Sequence, residues 1–131
     1  MRVLLDTSVL ILAMNDDPKL SDAARSEIQQ AAIVYVSAAS IWEIGIKAGI
    51  GKLKINLDRL IPCLQEAGFE QLTVTWEHAK AVSDLPEYHK DPFDRMLIAQ
   101  AQTEPLRLLT HDKTLLQYSD LVTLIPPHRA P

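Results

Sequence analysis

The sequence is poor in groups that cross-link, anchor or carry surplus positive charge, and each shortage narrows what the chain can be. It has a single cysteine, Cys63, which excludes an internal disulfide and a thiolate metal cluster and suits a reducing cytosol. No apolar run approaches the length of a membrane span. The first residues, Met1-Arg2-Val3-Leu4-Leu5-Asp6, lack the basic region, long apolar stretch and cleavage site of a secretory leader. A cytoplasmic protein without membrane contact is the expectation. Internal repeats, linkers and low-complexity tracts are absent. Basic charge is scarce as well: the formal net charge is −4, unlike a general nucleic-acid coat protein. That balance decides little, because divalent cations bound by converging acids would reverse the local potential.

What is present is a globular composition, with 47% hydrophobic and 23% charged residues in 131 positions. Residues 1–131 fit one domain with a proper core. Short apolar runs alternate with helical patterns. Strands are expected over 2–5, 33–36, 71–74, 106–110 and 121–125. Helices are expected over 21–32, 37–48, 57–67, 75–85 and from Asp91-Pro92 onward, with a short helix near Thr114. Residues 14–20 read as a turn or a rim, and the Pro-rich end, 126–131, as a loosely held tail. The alternation implies an α/β fold, a mostly parallel sheet with helices on its faces.

The acids fall at informative places. Asp6 follows the first strand and Asp112 a later one, and ligands of open α/β sheets collect at the carboxyl ends of strands. Glu43 lies on the helix after the second strand, and Asp94 in the first turn of the helix opened by Asp91-Pro92. Acids from these separate segments can line one cleft. Such a set suits Mg2+ or Mn2+, which take hard oxygen ligands and activate water for attack on phosphorus. Each acid also has a structural reading. Asp6 and Asp112 are credible helix caps, and Asp94 stands three residues after Asp91, the spacing of a reciprocal capping box. Glu43, in the apolar setting Ile41-Trp42-Glu43-Ile44, implies a largely buried helix, with Lys47 one turn on as its natural partner.

These residues carry a resemblance. Leu4-Leu5-Asp6-Thr7-Ser8-Val9-Leu10, Ser37-Ala38-Ala39-Ser40-Ile41-Trp42-Glu43-Ile44 with Lys47 and Gly51-Lys52-Leu53, Asp91-Pro92-Phe93-Asp94-Arg95-Met96-Leu97-Ile98-Ala99-Gln100-Ala101, and Leu109-Thr110-His111-Asp112 occur in that order over nearly the whole chain. Together they resemble the PIN-domain family, and within it the VapC-type ribonuclease toxins of toxin–antitoxin pairs. The resemblance implies a three-layer α/β/α sandwich with a central parallel sheet. It implies that Asp6, Glu43, Asp94 and Asp112 are the catalytic and metal-holding acids, with Thr7 and Thr110 supporting them. It also implies hydrolytic cleavage of RNA with Mg2+ or Mn2+, a homodimer formed through helices, and a cognate antitoxin that inserts a basic side chain among the acids.

The remaining residues have plainer readings. Lys47 and Arg95 are basic groups beside the acids, suited to phosphate or to support of the site. Surface solvation explains Arg95 and Lys52 equally well, and pairing with Glu43 explains Lys47. Cys63 is expected in the core, and Trp42 and Trp76 in core or interface packing rather than stacked on bases. His78, His89, His111 and His128 show no paired ligand spacing, although His111 adjoins Asp112. Other functions remain. A phosphatase with Asp6 as nucleophile wants a second acid where Ser8 stands. A non-catalytic RNA- or protein-binding module on the same fold is disfavoured by four uncompensated carboxylates. DNA in place of RNA stays open.

Overall fold

The computed structural model describes residues 1–125; the expected tail, 126–131, and His128 lie outside the described residues. Its elements run β1 (Arg2–Leu5), α1 (Thr7–Met14), α2 (Asp22–Gln30), β2 (Ile33–Ser37), α3 (Ala38–Gly49), α4 (Leu57–Glu66), β3 (Glu70–Leu72), α5 (Trp76–Ser83), α6 (Pro92–Thr103), β4 (Arg107–Thr110), a 3₁₀ turn (Lys113–Gln117) and β5 (Val122–Leu124). The strands form one five-stranded sheet in the order β3-β2-β1-β4-β5, and every pairing is parallel. The expected α/β/α sandwich is therefore the fold, with the sheet parallel throughout.

Strand residues divide by parity between two cores. Val3 and Leu5 face the layer of α1, α2, α3 and α4, together with Val34, Val36 and Leu109. Leu4 and Leu108 face the opposite layer, where α6 contributes Leu97, Ile98 and Ala101. Strands covered on both faces need apolar residues at every position. That is why β1 and β4 read as continuous apolar runs rather than alternating ones.

Helix α1 was not among the expected helices. Its sequence, Thr-Ser-Val-Leu-Ile-Leu-Ala-Met, is apolar on all sides and shows no 3.6-residue stripe. The helix is set by its position between Asp6, which caps it, and a core that buries Val9 and Leu10. One side chain departs from expectation, and two others narrow theirs. Cys63 is exposed rather than in the core, because Leu64 is the residue that α4 turns inward there. Trp42 is 66% exposed and Trp76 95% exposed, so neither belongs to a core. Helix α3 is buried along one side only, through Ala39, Ser40, Glu43 and Ile44; Trp42, Ile46 and Ile50 form an exposed row on another side. No helix among the described residues is long and apolar enough to cross a membrane.

The topology places the site. The chain leaves β1 to build β2 and β3 on one side, then returns to build β4 and β5 on the other. The crevice between the carboxyl ends of β1 and β4 is the switch point of the sheet, where α/β folds bind ligands.

Candidate metal centre

Asp6 sits at that crevice, 6% exposed. Its Oδ1 accepts the Val9 amide at 2.8 Å and its Oδ2 accepts the Thr110 hydroxyl at 2.5 Å. It is thus a helix cap, and it is also more than one. Burial pushes its carboxyl up to about 6, against the two hydrogen bonds, and the charges of Glu43 and Asp112 push the same way. Thr110 is fully buried at the end of β4. Besides donating to Asp6, its Oγ1 accepts the Asp112 amide at 3.0 Å, so one hydroxyl spans the crevice. Thr7 acts from α1, donating to Ser40 Oγ on α3 at 3.0 Å. It ties two of the acid-bearing segments together.

Glu43 reaches the site from α3 and is 5% exposed. Its Oε2 pairs with Lys47 Nζ at 2.7 Å, the partner expected one turn on, and this bond is the main reason the Lys47 ammonium is held above its usual range. Its Oε1 is buried with no hydrogen-bond partner. A buried, unpartnered carboxylate oxygen is costly unless something else meets it.

The helix opened by Asp91 separates the two acids that share it. Asp91 Oδ1 accepts the amides of Phe93 and Asp94, at 2.8 and 3.1 Å, and so does the capping. A reciprocal box would return the Asp91 amide to the Asp94 side chain. That amide instead meets His89 Nδ1 at 3.2 Å. Asp94 is left to face the other acids, and its carboxyl is pushed up to about 7 by burial first, then by the charges of Asp91, Asp6 and Glu43. Asp112, more open, is capped into the 3₁₀ turn through the Thr114 amide at 2.9 Å. Burial alone would raise its carboxyl, but hydrogen bonds from Thr114 and His89 prevail and lower it.

Of the roles open to Arg95, its bonds match support of the site. Its Nη1 donates to the carbonyl of Pro86 at 2.9 Å and its Nη2 to that of Val82 at 3.1 Å, with further bonds to His89 O and Tyr118 Oη, both 3.3 Å. The guanidinium is engaged in fastening the segment before α6, not in presenting donors to a phosphate.

His89 was not singled out by sequence. Its Nε2 lies 3.0 Å from Asp112 Oδ2 and 3.2 Å from Asp94 Oδ2, and these three groups have donor atoms within 4.8 Å of one another. The only local signal was its place five residues before Asp94, which no ligand spacing marks. His78, by contrast, is structural: it caps α5 with Thr75 and meets Glu104 at 2.6 Å. Beside the acids, Trp42 packs edge-on to Phe93 with ring centroids 5.1 Å apart, joining α3 to α6.

The donor set fits a hard divalent cation. Its donors are mainly carboxylate oxygens, two of them on groups that hold protons unusually well because burial, and then neighbouring negative charge, oppose ionisation, and one buried oxygen is unmatched. Replacing Thr110 by Val removes both of its bonds at nearly constant volume. We expect Thr110→Val to lower stability by about 1–3 kcal/mol in urea unfolding, with Thr110→Ser close to wild type. Equal stability of the Val and Ser variants would show that the hydroxyl is not holding the crevice.

The family model of the PIN domain matches residues 3–121, and the chain belongs to that family. No curated protein sequence matches it. Among solved structures, the fold is similar to VapBC2 from Rickettsia felis bound to a DNA fragment from their promoter, with a TM-score of 0.67 and 15% identity over 100% of both chains. A toxin–antitoxin complex from Klebsiella pneumoniae gives 0.66 at 18% identity, over 98% of this chain and 99% of the other. FitAcB from Neisseria gonorrhoeae gives 0.66 at 20%, over 96% and 98%. At these identities the likeness is one of fold.

Proposed function

We propose that this protein is a metal-dependent endoribonuclease, the toxin of a toxin–antitoxin pair. The observation that carries the reading is the convergence of Asp6, Glu43, Asp94 and Asp112 at the switch point, with the buried Glu43 Oε1 unpartnered and two carboxyls raised. Such a cluster is poorly compensated as protein alone and well compensated around a cation. Mg2+ or Mn2+ held there supplies a more acidic water and offsets charge on the phosphoryl oxygens. The chain's own residues have separate tasks. Asp6 and Asp94, from β1 and α6, hold the ion; Asp112 and Glu43 complete its surroundings. Thr110 keeps Asp6 and Asp112 in register, and Lys47 holds one oxygen of Glu43 while the other stays buried and unpartnered.

Membership of the PIN family and the likeness to toxin–antitoxin complexes support the toxin role. An antitoxin that places a basic side chain among the acids would meet the unpartnered Glu43 oxygen directly. The exposed row Trp42, Ile46 and Ile50 offers apolar surface for a homodimer.

The test is incubation of the purified protein with total cellular RNA in Mg2+, Mn2+ or EDTA, with single-stranded DNA alongside. Metal-dependent RNA fragments ending in 5′-phosphate, absent with EDTA, are the expected result. Folded, metal-loaded protein, free of any antitoxin, that cuts no RNA would favour a binding module on the same fold. Cleavage of DNA alone would change the substrate and keep the chemistry.

A further inference from the structure

His89 is held more firmly than a loop histidine need be. Its amide donates to Tyr118 Oη at 2.8 Å, and its carbonyl accepts from Arg95, which also fastens Val82 and Pro86. The segment between α5 and α6 is thereby fixed on both sides of the ring.

The ring itself has a defined polarity. Nδ1 accepts the Asp91 amide at 3.2 Å, so its lone pair is directed at a donor and the proton of the neutral imidazole is on Nε2. Nε2 lies between Asp112 Oδ2 and Asp94 Oδ2, at 3.0 and 3.2 Å. Direct ligation of a metal through Nε2 would need the lone pair there and the proton on Nδ1, facing the Asp91 N–H. Two donors would then be opposed. The geometry therefore favours donation over ligation.

We propose that His89 is a positioning residue of the cation site, a donor of fixed tautomer whose Nε2–H holds Asp112 Oδ2 within reach of Asp94, so that both carboxylates face one ion. The Asp112 oxygen has two lone pairs, so accepting this bond leaves capacity for a cation. Asp112 is doubly fixed, because Thr114 holds its Oδ1 while His89 holds its Oδ2. Asp94 Oδ2 lies 3.2 Å from the same Nε2, so the two carboxylates gather at one nitrogen. This role rests on the metal-dependent reading of the site, and it adds the element that joins α6 to the loop after β4.

Two measurements test it without RNA. Long-range 1H–15N correlation spectra of the metal-free protein should show the His89 imidazole protonated at Nε2 and bare at Nδ1. Mn2+ titration should show affinity reduced about 10–100-fold in His89→Ala, the usual effect of losing a group that orients a metal ligand. His89→Gln, whose amide nitrogen lies near the Nε2 position and donates, should recover most of it, with folding of both variants checked by circular dichroism. A bare Nε2 would overturn the proposal. So would wild-type affinity in folded His89→Ala, or a folded His89→Gln as weak as the Ala variant. Wild-type protein that binds Mn2+ and responds as expected but cuts no RNA would sink the nuclease reading alone. Wild-type protein that binds no Mn2+ would sink both.

Discussion

Asp94→Asn is expected to make the metal-free protein more stable at pH 8 and to remove its metal-dependent RNA cleavage. In the native state the Asp94 carboxyl is raised to about 7 by burial and by the charges of Asp91, Asp6 and Glu43. At pH 8 it is ionised, and its charge opposes the fold. Asparagine keeps the shape, but the charge is gone. One pKa unit corresponds to about 1.4 kcal/mol, and partial solvation of the side chain reduces the total, so a gain on the order of 2 kcal/mol is expected. For a chain of this size that raises Tm by roughly 5 °C or more. Loss of a cation-holding carboxylate should lower cleavage on the order of 100-fold or more. Asp91 is the comparison: it does the capping, and Asp91→Asn, an equally good cap that removes a charge bearing on Asp94, should give a smaller gain in stability and leave cleavage intact. Thermal melts in EDTA and gel assays of RNA cleavage check both halves. A lower Tm with cleavage intact would return Asp94 to the role of a capping residue.

Without metal, the wild-type protein should lose stability as pH rises from about 4 to about 7, and added Mg2+ should restore it chiefly at the alkaline end. Asp6 and Asp94 are raised from 3.8 to about 6 and about 7. In that window the native state retains protons that the unfolded chain has released, so stability falls with increasing pH, and the loss is complete above the higher native value. Asp112 has the opposite sign. Its carboxyl is lowered, so its contribution is present above the ordinary carboxyl value and is lost at more acid pH, below the window. A cation binds the ionised cluster and competes with protons for it. At a Mg2+ concentration about 100 times its dissociation constant, stabilisation is about 2.7 kcal/mol, a rise in Tm of roughly 10 °C at pH 8 and little at pH 5. Melting curves at the two pH values, with Mg2+ and with EDTA, measure this. A metal-induced shift no larger at pH 8 than at pH 5 would mean that the acids do not form a cation site.

The site was partly legible before the fold was known. Asp6 and Asp112 could be placed because each follows a run of apolar residues that reads as a buried strand, and strand ends are where α/β folds bind. Asp94 could not be separated from Asp91 by spacing, since both suit the first turn of a helix. The hydrogen bond from the Asp91 amide to His89 Nδ1 distinguishes them. For Arg95 the sequence left phosphate binding, support of the site and surface solvation open, and the fold surrounds its guanidinium with carbonyls.

By itself the sequence determined the α/β alternation, the acids at strand and helix ends, the Glu43–Lys47 pair and the likeness to the PIN family. All of these rest on local pattern: apolar runs, capping residues and one-turn spacing. Tertiary structure decided the rest. Helix α1 has no amphipathic stripe because both the sheet and its neighbouring helices cover it. The outward positions of Cys63, Trp42 and Trp76 follow from which side of each helix meets a layer, and composition does not record that. His89 became part of the site only when the crevice between β1 and β4 closed, bringing it to Asp112 across 23 residues of chain, a contact that no local propensity encodes.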